Sequence, residues 1–232
     1  MSTVTAFGAG GDEPYALMLN RNGSGRLVLR RSGDPHGIVE VDVAEWRAPA
    51  NTVDVAVFAG LGSPLLDVGC GPGRMVRAAE ERGLAALGID VSAEAATMAA
   101  TNGTPVLRRS VFDRLPLEGQ WRSILLMDGN IGIGGDPAAL LARCAELLAD
   151  DGDIVVEVDA DAELHVFDSY TAVADDGRAS APFPWARVGA TALARIALET
   201  GFAISDAWAA ANRRFVTLRL TPDQAPVRRR AT

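Results

Sequence analysis

The chain has 232 residues, of which 48% are hydrophobic, and carries a formal net charge of −8. That length and apolar content exclude disorder throughout and suffice for one α/β domain with a sizeable core. The acidic balance argues against a nucleic-acid partner, and the absence of lysine excludes a Schiff-base lysine and a Walker phosphate loop.

Residues 1–14 are Gly-rich and expected to be mobile. They carry no basic flank of a signal peptide, and no apolar run reaches the roughly 18 residues of a membrane span. A cytoplasmic protein with no membrane partner is therefore expected. RLVLRR (26–31) and IVEVDV (38–43) read as two short strands around the turn SGDPHG, and residues 51–59 as a short helix. Residues 1–60 form an N-terminal appendage on this reading.

From Pro64 the pattern is regular. PLLDV is a short apolar run, expected as a strand buried on both faces. Residues 74–82 are helical, AALGID is a second strand, and Ser92 caps a helix running to about Asn102. TPVLRRS and WRSILLMD are the third and fourth strands. Asp136-Pro137 starts a helix with its cap and fixed φ in order. Leu140, Leu141, Cys144, Leu147 and Leu148 give that helix one apolar face. ADDGD is a turn, and DIVVEVD a fifth strand. After a helix over 191–200, FAISDAW and RRFVTLRL stand only about four residues apart, which allows a hairpin and no crossover. Alternating strands and helices predict a Rossmann-like, doubly wound parallel sheet over 61–221, ending antiparallel. Residues 160–188 show no clear period, which in a compact domain marks a functional loop. The tail 222–232, with VRRRAT, is expected to be disordered. Cys70 and Cys144 fall within core elements and are too few for a disulfide framework or a zinc site.

The stretch LLDVGCGPGR (65–74) raises the functional question. A strand ends in an acid, and Gly69, Gly71 and Gly73 follow at every second position before a helix. Backbone amides and a helix N-terminus there suit a polar or anionic ligand that approaches closely. Asp90 closes the next strand, 17 positions beyond Gly73, where an acid can accept both hydroxyls of a ribose. The dinucleotide fingerprint needs a small residue where Arg74 stands. Asp67, beside the loop, suits an ammonium better than a diphosphate.

LDVGCGPGR followed by GIDVS resembles the class I S-adenosylmethionine-dependent methyltransferases over roughly residues 64–220. The resemblance implies seven strands in the order 3-2-1-4-5-7-6. It also implies that Asp67, Gly69, Cys70, Gly71 and Gly73 surround the methionine moiety, that Asp90 binds the ribose and that Val91 packs on the adenine. Many members place an Asp after the third strand; here Ser110 stands near that place. Ser110, Val111 and Phe112 are therefore the expected adenine contacts. The stretch RSVFDRLP, DGNIGIGGDP and PFPWARVG is also similar to a group of actinobacterial methyltransferases.

In that family the loop after the fourth strand, with Asp128, Gly129 and Asn130, faces the sulfonium and the acceptor. Asp128 and His165 are candidate bases, with His36 behind them. Phe183, Trp185 and Arg187 in the 160–188 segment are candidate substrate contacts, fit for a flat or anionic molecule. The expected function is methyl transfer to a small molecule by a monomer or homodimer, without a metal. A non-catalytic S-adenosylmethionine-binding module and a nicotinamide-dependent dehydrogenase are the alternatives.

Overall fold

The computed structural model describes residues 6–8, 14–20, 26–34 and 37–221. His36, the tail 222–232 and most of the Gly-rich start lie outside the described residues.

The larger sheet begins at β3 (Leu65–Val68), every residue of which is buried. Alternate side chains serve opposite faces. Leu66 and Val68 join the core beneath α6 (Pro137–Leu147) and α7 (Ala190–Glu199). Leu65 joins the core beneath α3 (Thr52–Val57) and α4 (Arg74–Glu80). This is why the strand reads as a continuous apolar run.

β3 pairs in parallel with β4 (Ala86–Asp90) on one side and β6 (Trp121–Leu126) on the other. β5 (Val106–Arg108) and β7 (Leu148–Val158) continue the parallel pairing outward. β11 (Arg213–Leu220) runs antiparallel to β7 and to β10 (Phe202–Ala210). The seven strands lie in the order β10-β11-β7-β6-β3-β4-β5, the arrangement the resemblance implied. The order reverses at β3 and β6, so the ligand crevice of such a sheet falls at their carboxyl ends.

Caps explain the helix starts. The Ser92 hydroxyl accepts from Ala95 N at the head of α5 (Ala93–Thr101), and the Asp136 carboxylate from Ala139 N before Pro137. Asn51 and Asp54 form a reciprocal capping box on α3. The hairpin β10–β11 turns in two residues between Ala210 and Arg213. ADDGD is not a separate turn: it lies inside β7, where the pairing with β6 slips between Trp121 and Ser123.

Residues 160–188 are more ordered than their sequence suggests. They contain β8 (His165–Ala174) and β9 (Phe183–Val188), which pair antiparallel. β8 also pairs with β1 (Leu27–Arg31), which pairs with β2 (Ile38–Val41). The result is a second sheet, β2-β1-β8-β9, shared between the N-terminal residues and this segment. Tyr170, Ala172 and Ala174 do alternate inward on β8. Two of the three are alanines, so the period leaves little hydrophobic signal. α1 (Pro14–Asn20) and α2 (Val43–Arg47) pack on this sheet; neither was evident from the sequence.

Candidate functional site

Two cavities adjoin at the carboxyl ends of β3 and β6. The first, of about 270 Å³, is lined by Gly69, Cys70 and Gly71 of the glycine loop and by Asp90, Val91, Ser110, Val111 and Phe112. The second, of about 290 Å³, lies beyond Asp128 and Gly129 toward β2 and β9. Phe7, Trp46, Asp128, Asn130 and Trp185 line both and form the junction.

The glycine loop is pinned from two sides. Asp90 Oδ2 accepts from Gly71 N at 2.9 Å, and Oδ1 from Ser92 N at 2.8 Å. Ser92, and not Asp90, caps α5, so the second lone pairs of the Asp90 carboxylate are available to ligand hydroxyls. On the other side, Asn130 Nδ2 donates to Val68 O at 2.9 Å and to Gly69 O at 3.0 Å. Gly69 has φ +71°, and a Cβ there would lie 2.7 Å from that amide nitrogen. Gly71 has φ +53°, and a Cβ would meet the Tyr15 hydroxyl at 3.1 Å. Glycine is required at both positions by backbone conformation and by what lies above. Gly73, at φ +85°, sits at the N-cap of α4 outside the cavity wall.

Asp67 is buried and, unlike the other acids predicted for the site, lines neither cavity. Burial pushes its carboxyl up to about 7, against the pull of the Arg74 guanidinium. The folded chain thus keeps a proton that the unfolded chain loses near 3.8. Stability from this group falls as pH rises through that window and is flat above it. Asp67→Asn cannot ionise, so without ligand it should melt above the wild type near pH 8, and the gain should shrink toward pH 5. Equal melting shifts at both values would contradict this.

Arg74 is the residue whose role was least visible in the sequence. It is 3% exposed. Its guanidinium bonds Asp54 and both carboxylate oxygens of Asp128, at 2.8 and 2.7 Å. Arg213 joins Asp54 at 2.6 Å and Glu157 at 2.7 Å. Burial raises Asp54, but the bonds from Arg74 and Arg213 outweigh it and hold the carboxyl below its usual range. For Asp128 burial wins over Arg74, and its carboxyl is raised. The Asp128 backbone is left-handed, at φ 54°, and Gly129 follows at φ 79°. Asp128 N donates to Glu157 Oε2 at 2.8 Å, so the same ion network fixes the turn.

The candidate acceptor residues divide. Trp185 stands at the junction, held to the Asp128 loop by an Ile133–Trp185 β-bridge. Arg187 lines the second cavity, but its guanidinium is bonded to Asp159. Phe183 is 1% exposed and packs among Phe7 and Trp185 without lining either cavity. The structure does not bring His165 to the site. It is exposed at the start of β8, edge-on to Phe167, in a separate hollow with Asp136 and Arg195. Phe7, Tyr15 and Trp46 enter the site without having been singled out, because nothing in the local pattern marks them. A Glu157–Arg213 pair was equally hidden, since its members are 56 residues apart. Among the described residues no cluster of metal-ligating groups is present and no helix is long and apolar enough to cross a membrane.

The family description of a methyltransferase domain matches residues 43–212. No curated protein matches the chain significantly. Among solved structures, an S-adenosylmethionine-dependent methyltransferase from Bacteroides fragilis, in complex with S-adenosyl-L-homocysteine, superposes with a TM-score of 0.75 at 19% identity. That comparison covers 95% of this chain and 99% of that one. The CcbJ methyltransferase of Streptomyces caelestis gives 0.57 at 16% identity, over 75% and 92%. The 1,6-didemethyltoxoflavin-N1-methyltransferase of Burkholderia thailandensis gives 0.53 at 19%, over 73% and 77%. At these identities the likeness is one of fold, whereas the domain match spans most of the chain: it belongs to the methyltransferase-domain family.

Proposed function

We propose that this protein transfers the methyl group of S-adenosylmethionine to a small-molecule acceptor. The observation that carries the reading is the adjoining pair of cavities, with the glycine loop and Asp90 in one and the Asp128–Asn130 turn at the junction. S-Adenosylmethionine occupies the first cavity. Asp90 takes the ribose hydroxyls, Asp67 lies beneath the methionine end, and Val91, Ser110, Val111 and Phe112 surround the adenine.

The bound cofactor supplies a methyl already activated by positive sulfur. The protein then has to hold the acceptor in line with the sulfur–methyl bond, about 3–3.5 Å away, and keep water out. Asp128 shapes the turn that borders the methyl. Both oxygens of its carboxylate accept from Arg74 Nη2, which suits an orienting role better than proton abstraction. β1 and β2 act together with β8 and β9 as the cover over the larger sheet, since the four strands share a sheet. Asn130 stabilises the glycine loop as well as bordering the acceptor.

Calorimetry tests the reading. S-Adenosylmethionine and S-adenosylhomocysteine should bind in the micromolar range, with negligible binding of NAD. Tighter binding of NAD than of either would overturn it.

A further inference from the structure

We infer that the acceptor is a basic amine, received as an alkylammonium in the second cavity and methylated on nitrogen; this rests on the function proposed above. Two independent features of the cavity select that chemistry.

The first is charge. Glu40, Asp42, Asp128, Glu157 and Asp159 line the wall, and Arg187 is the one guanidinium among the lining residues. Arg187 is bonded to Asp159, so it is not a free anion receptor. Arg74, Arg213 and Asp54 stand behind the wall, and Arg26 pairs with Glu40 from the exposed side. With these included, six carboxylates face four guanidiniums. An anionic acceptor would enter against that balance, and a cation along it.

The second is the aromatic wall. Phe7, Trp46 and Trp185 line the cavity where it meets the cofactor site. Phe7 lies 6.3 Å from Trp46 and 6.0 Å from Trp185, both near edge-to-face. Grouped rings of this kind hold alkylammonium groups through their negative π-faces. Neutral flat molecules would use the rings but not the carboxylates, and flat anions would use the rings against the repulsion of the carboxylates.

The chemistry agrees with the placement. The ammonium gives up one proton to water. The nitrogen lone pair then attacks the methyl carbon, the sulfur–carbon bond breaks, and its electron pair stays on sulfur. Positive charge moves from sulfur to nitrogen as the bond forms. Carboxylates on the acceptor side lie where that charge arrives, which favours the transition state over the complex of the deprotonated, neutral amine.

The test uses the full chain saturated with S-adenosylhomocysteine. It is titrated with benzyltrimethylammonium, benzyl alcohol and benzoate, which share a ring and differ in charge. The ammonium should bind at least tenfold more tightly than the other two. Trp46→Leu should weaken it at least tenfold, and Glu40→Gln, an exposed substitution that the fold should tolerate, about two- to fivefold. Equal or tighter binding of benzoate or benzyl alcohol, no binding of the ammonium, or an ammonium affinity untouched by both substitutions would overturn the inference. The prior S-adenosylhomocysteine titration separates the two levels: if that ligand binds and the ammonium does not, only the amine assignment fails.

Discussion

Arg74→Met should cost the folded protein about 3–5 kcal/mol, read from urea unfolding. The size follows from what the guanidinium leaves behind. Asp54 is 1% exposed and would keep Arg213 as its cationic partner. Asp128 would keep only a 3.4 Å contact with Arg213 in place of its two short bonds. Two carboxylates of like sign would then share a low-dielectric site with one cation fewer. Adding Asp54→Asn should restore part of the loss, because it removes one of the stranded charges. A loss below about 1 kcal/mol for Arg74→Met, or no recovery in the double variant, would show that the network does not hold this region together.

The largest expected effect on ligand binding is at Asp90. Asp90→Ala should weaken S-adenosylhomocysteine binding about tenfold to a hundredfold, since hydrogen bonds to a charged group contribute roughly 1.5–3 kcal/mol. The carboxylate does two things at once. It anchors the loop through Gly71 N and, in the proposed function, also accepts from the ribose. Asp90→Asn keeps one acceptor oxygen and should fall between the two. An unchanged dissociation constant in a folded Asp90→Ala protein would mean that the acid touches neither the ligand nor a conformation the ligand needs.

What the sequence disclosed and what it hid divide by range. β3, the glycine loop and β4 follow one another within residues 65–90, so their chemistry is written locally: an apolar run, three glycines, an acid at a strand end. The same holds for Ser92 and Asp136, whose cap bonds reach only three residues ahead. The second sheet was not legible, because β1 finds its partner in β8, well over a hundred residues later. The aromatic wall was hidden for a similar reason, as Phe7 packs against Trp46 and Trp185, both far from it in the chain. Arg74 read as an obstacle to helix–strand packing. In the fold its side chain turns to Asp54 and Asp128, 20 residues before it and 54 after. Asn130 looked like an acceptor contact, yet its amide also braces the loop of the neighbouring strand. His165 carried the right chemistry, but the chain places it outside both cavities.

In the proposed function the cofactor lies over Asp90 with its reactive end at the junction of the two cavities. A crystal structure of the protein with S-adenosylhomocysteine measures this directly. The expected result places both ribose hydroxyls within about 3 Å of the Asp90 carboxylate. It also places the sulfur beside Asp128 and Asn130, facing Trp46 and Trp185. A sulfur turned into solvent, or a ribose away from Asp90, would contradict the account.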